Sequence, residues 1–138
     1  MFYRPNYLLV LVGLLMTSRV TLGSDNLLIE DFEANAYRNW TITGNAFGDS
    51  PATGSLPNQM AVTGFQGKRL ANSFHQGDAS VGSATSPEFT INRSHIAFLI
   101  GGGMHVKTLG IRLLVGGEVV RSATGGESED LEIGRAHV

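Results

Sequence analysis

The clearest alternation of apolar and polar positions lies between Ser83 and Gly125. His95 to Ile100 places Ile96, Phe98 and Ile100 on one face and Ala97 and Leu99 on the other, so it predicts a strand buried on both sides and central in its sheet. Gly101-Gly102-Gly103 ends it. Thr108 to Val115 predicts a second strand, with Ile111, Leu113 and Val115 inward and Arg112 outward. Gly116-Gly117 suits a two-residue type I′ turn, which needs positive φ at both positions. Glu118 to Ala123, with β-branched Val119 and Val120, then returns antiparallel.

Weaker signals flank this block. Leu27 to Phe32 predicts an opening strand, and Tyr37 to Thr43 another that carries the single tryptophan, Trp40. Asn45 to Gly67 is broken by Gly48, Pro51, Gly54, Pro57 and Gly64 and predicts a long structured loop, a common place for function. Arg69 to Ser73, Ser83 to Ser86 and Glu88 to Ile91 complete about eight short strands, with Pro87 at an edge or bulge. The fold class expected is all-β: an antiparallel β-sandwich or jelly roll of the kind carbohydrate-binding modules use.

The first 23 residues stand apart. Arg4, the apolar run Tyr7 to Met16, and the small or polar stretch Thr17 to Gly23 have the layout of a secretory signal peptide, with cleavage expected after Gly23. The run is short of the roughly 20 residues a membrane span needs. The chain is expected to be exported, to an extracellular or periplasmic location, with no membrane association after cleavage. Residues 24–131 then form one domain in a mature chain of roughly 110 residues.

The whole chain has 10 basic and 12 acidic residues and no cysteine. Without Arg4 and Arg19 the balance is more acidic still, so nucleic acid is not an expected partner. Stability must come from packing, since no disulfide is available.

Candidate chemistry is sparse. Glu30, Asp31 and Glu33 form the densest acidic cluster; as a strand end they are either solvated charge or oxygen ligands for a structural calcium. A glycosidase pair is the third reading. The four histidines, His75, His95, His105 and His137, show no metal-ligand spacing. His75 and His105 occupy glycine-rich loops and could meet in space. Trp40 and Tyr37 offer aromatic faces either for the core or for stacking on a sugar. The candidate ligand-binding set is therefore Trp40, Tyr37, His75 and His105. No nucleophile elbow or phosphate-binding glycine loop is present.

Several spaced blocks carry a resemblance: Leu28 to Glu33 (LIEDFE), Trp40 to Gly48 (WTITGNAFG), Gly64 to His75 (GFQGKRLANSFH), Thr85 to Ile91 (TSPEFTI), Ile96 to His105 (IAFLIGGGMH) and Arg112 to Gly125 (RLLVGGEVVRSATG). Together they resemble the N-terminal β-sandwich module of bacterial levanase-like enzymes of glycoside hydrolase family 32. The resemblance implies a parent enzyme that hydrolyses β-fructosides such as levan or sucrose in a five-bladed propeller. That propeller's Trp-Met-Asn-Asp-Pro-Asn type motif does not occur here, so no catalytic residue carries over. Two roles are open to the module: binding fructan or another polysaccharide, or packing against the catalytic propeller. The alternative to both is a free-standing exported sugar-binding or adhesion protein.

After Leu131 the sequence departs from that family. Glu132 to Val138 is what GAG ATC GGA AGA GCA CAC GTC encodes, a string that resembles a sequencing adapter read in frame. Residues 132–138 are accordingly expected to be a non-native tail, and the sandwich to lack its closing strands.

Overall fold

The computed structural model describes residues 26–138; the expected signal peptide lies outside them. Six strands are present: β1 (Thr41–Gly44), β2 (Gly82–Thr85), β3 (His95–Gly102), β4 (Ile111–Val115), β5 (Glu118–Ala123) and β6 (Ser128–His137). They pair antiparallel as β1–β2, β3–β6 and β4–β5. Among the described residues there is no helix. The fold is all-β, antiparallel and sandwich-like.

β3 divides the interior. Leu99 faces a cluster built from Phe32, Tyr37, Trp40, Ala46, Phe47, Ala71 and Ala84, while Phe98 and Ile100 face a smaller one with Ile111. The strand is apolar on both faces, as its pattern predicts. It is not central by pairing, however, because among the described residues only β6 bonds to it.

The Gly116-Gly117 turn has φ of 58° and 84°, and Val115 pairs with Glu118 across it. The alternation expected for β4 fails at its end. Opposite the Leu113–Leu114 step, Val120 is an extra, unpaired residue of β5. Ile111 is buried at the inner end of β4, while Val115, beside the turn, is about half exposed.

Three expected strands do not form. Leu27 to Phe32 is irregular because the Glu30 carboxylate accepts the Asp31 and Phe32 amides (3.1 and 2.9 Å), turning the chain and placing Phe32 at φ 57°. Arg69 to Ser73 contributes one bridge, Leu70 to Ala52. Glu88 to Ile91 makes no ladder. Conversely, β6 runs through the residues set apart as a tail: Ile133 pairs with Leu99 and His137 with His95. The ladder itself is bonded through main-chain groups, and Gly134 adds a side-chain condition, because a Cβ there would collide with the Phe98 ring. Ile133 itself remains 63% exposed.

Candidate functional site

Trp40 and Tyr37 are core residues. Trp40 is 7% exposed and tilts against Phe32 with ring centroids 5.0 Å apart. Tyr37 is 6% exposed, meets Phe32 edge-on at 6.1 Å and donates its hydroxyl to the Phe47 carbonyl at 2.9 Å. Burial pushes its phenol far above the ordinary value. Neither ring offers a face to a sugar; the buried apolar residues around them outweigh exposure for side chains of this size.

The acidic trio does not fit a cation. Glu30 binds the two amides that come after it, Asp31 accepts the Glu33 amide at 3.0 Å, and Glu33 accepts the Lys68 amide (2.8 and 3.0 Å) and the Arg69 amide (3.0 Å). Each carboxylate is turned to main chain: Glu30 and Asp31 shape the local turn, and Glu33 ties the start of the domain to Lys68 and Arg69. Among the described residues no group of three or more histidine or acidic side chains converges.

His75 and His105 are both exposed, and no hydrogen bond or ring contact joins them. His105 starts a turn, its carbonyl accepting the Thr108 and Leu109 amides at 2.8 Å. A pair that spacing did not suggest is His95 with His137, edge to face at 4.9 Å at the end of the β3–β6 ladder.

His75 belongs to a well-fixed surface ledge. The loop after β1 and the loop before β2 are laced together: Asn45 donates its amide to the Val81 carbonyl (2.9 Å), Val81 donates to Asn45 Oδ1 (2.9 Å), and the His75 amide donates to the Ala46 carbonyl (3.0 Å). Beneath lie Ala46 and Phe47, at 0% and 1% exposure. Asn45 Nδ2 also donates to Gln76 Oε1 at 2.7 Å, which orients the Gln76 amide.

Gly48 has φ of 62°. A Cβ built on it would stand 2.6 Å from His75 Nδ1, 2.8 Å from Cε1 and 3.0 Å from Cγ. Near-equal distances to an atom and its two bonded neighbours mean an approach from above the ring, since an in-plane approach would leave the neighbours much farther away. The imidazole therefore rests face-on against Gly48.

A cleft of about 220 Å³ separates the β4–β5 hairpin from the β3–β6 sheet. It is lined by Phe98, Ile111, Arg112, Arg121, Arg135 and His137, among others. Its wall on the β6 side is built from the stretch expected to be a non-native tail.

The described molecule is thus an antiparallel β module with one rigid polar ledge. Compared with known proteins, the chain is 44% identical over 111 residues to “Putative glycosyl hydrolase ecdE” of Aspergillus rugulosus, an alignment that covers 78% of this chain and 16% of that protein. No family model and no solved structure matches. The chain is related to a protein named as a glycosyl hydrolase and spans about a sixth of that relative's length.

Proposed function

We propose that this chain is a non-catalytic accessory module of an exported glycoside hydrolase acting on β-fructosides, and that the module binds fructan. The observation that carries the reading is the 44% identity to a protein named as a glycosyl hydrolase, of which the aligned part makes up only 16%. The carboxylates of Glu30, Asp31 and Glu33 support the non-catalytic part. A glycosidase needs an acid and a base or nucleophile facing one bond across a cleft. These three groups are engaged with backbone amides instead.

Sequencing the locus beyond the Leu131 codon tests the reading. The expected result is an open frame that reaches a Trp-Met-Asn-Asp-Pro type motif. The chain alone is expected to retain levan or inulin on an affinity gel and to release no sugar from levan or sucrose. Release of fructose by the purified chain would overturn the non-catalytic assignment. A native stop codon after Val138, with retention of another polysaccharide, would favour the free-standing sugar-binding protein.

A further inference from the structure

We infer that His75 and Gln76 form the sugar-contact site of this module, with a neutral glycan as ligand; the inference rests on the binding reading above. A side chain that binds sugar must be held in place before the ligand arrives, because ordering a free side chain on binding offsets much of the gain. The ledge meets that requirement. One face of the His75 imidazole is seated on Gly48, and the residue is otherwise exposed, so the opposite face is open to the apolar C–H face of a sugar ring. Gly48 is required on two counts, its positive φ and the absence of a Cβ that would lift the ring.

Gln76 supplies the polar half. Asn45 Nδ2 binds Gln76 Oε1, which leaves the two N–H donors of Gln76 Nε2 without a partner among the described residues. Asn45 is itself pinned by the Val81 amide through its Oδ1. The result is an oriented donor pair beside a stacked ring, a combination suited to a hydroxyl next to an apolar sugar face.

Charge selects the class of glycan. Asp49 comes directly after Gly48, and Asp78 lies two residues after Gln76; both are exposed. Carboxylates at the ledge repel uronate or sulfated chains and accept hydroxyl protons, so the site favours uncharged polysaccharide.

The test uses the full chain with levan, inulin, xylan and polygalacturonate in affinity electrophoresis, alongside His75→Ala, His75→Phe and Gln76→Ala. Circular dichroism melts show whether each variant folds. The expected result is retardation by levan or inulin and none by polygalacturonate. His75→Ala and Gln76→Ala each weaken binding roughly ten-fold with an unchanged melt, and His75→Phe keeps it because a ring remains. If the chain binds a fructan and both alanine variants bind equally well, this site is wrong while the binding reading stands. If the chain binds only xylan and His75→Ala abolishes that, the site stands and the fructan reading falls. Retardation by polygalacturonate that His75→Ala removes overturns the neutral-ligand assignment. No retardation by any of the four overturns both.

Discussion

Replacing Trp40 by alanine separates the two fates open to the chain's single tryptophan. The ring is 7% exposed, packs at 5.0 Å against Phe32 and belongs to the larger of the two apolar clusters, which holds Phe47 and Leu99 as well. Removing a buried tryptophan down to Cβ costs about 3–5 kcal/mol, the lost transfer energy plus the cavity left behind. A domain of this size has roughly 5–15 kcal/mol in all. Trp40→Ala should therefore lose a large fraction of the folding free energy and lower the melting temperature by on the order of 15 °C. Urea titration followed by circular dichroism is the assay, since the variant lacks the fluorophore. In the wild type, blue-shifted emission from Trp40 should move to the red in the same transition. A Trp40→Ala protein with an unchanged midpoint that no longer binds levan or inulin would refute the core assignment and make the ring a sugar platform.

The geometry sets three further outcomes. Burial raises the Tyr37 phenol above its ordinary 10.0, so the folded state keeps the proton after the unfolded chain has lost it; stability is complete below about pH 10 and falls as pH rises beyond it. Tyrosinate absorbance should thus appear only with unfolding in the chain cleaved after Gly23, and ordinary titration near pH 10 while folded would contradict this. Glu33→Ala leaves the Lys68 and Arg69 amides without their acceptor and should cost about 1 kcal/mol, with faster hydrogen exchange at those two amides; unchanged protection there would show that the tether is not formed. Calcium should not raise the melting temperature, because Glu30, Asp31 and Glu33 are each turned to main chain; a rise that grows with the logarithm of calcium concentration would show a site.

What the sequence made legible was local. Gly116-Gly117 predicts its turn because both residues must take positive φ, and nothing distant can change that requirement. The two-sided burial of Phe98 and Leu99 arises in the same way from an uninterrupted apolar run. Misreadings arose where a side chain competed with the backbone or the register slipped. Leu27 to Phe32 has strand composition, but Glu30 takes the amides a ladder would need. Val115 keeps the parity of Ile111, but it sits beside the turn opposite Glu118, past the point where Val120 is an extra residue of β5, and is left half exposed. An aromatic residue's destination was illegible for a different reason: the same ring suits a core or a sugar, and Trp40 and Tyr37 are enclosed only when nearby Phe32 and Phe47 meet Ala71, Ala84 and Leu99 from far along the chain. His75 could be singled out as an exposed loop histidine. Its support from Gly48, 27 positions earlier, and the orientation of Gln76 by Asn45 exist only once the two loops are laced together.

The two apolar clusters also differ in what depends on them. The larger one closes over Phe32, Trp40 and Phe47 without any contribution from residues beyond Leu131, and the ledge stands directly on it through Ala46 and Phe47. The smaller cluster has three buried members, and the hairpin beside it leaves Leu114, Val115, Val119 and Val120 between 40% and 54% exposed. Apolar surface on both faces of a two-stranded hairpin is not a stable end state in water, since such a hairpin needs a third strand or a packed face. The hairpin side is where more polypeptide would add the most stability, and the cleft beside it is the part of the molecule most sensitive to the identity of the residues after Leu131. A sugar site on the ledge is insulated from that question. Binding measured there reports on His75 and Gln76 whatever the pairing of β3 with Ile133 to His137 contributes to the smaller cluster.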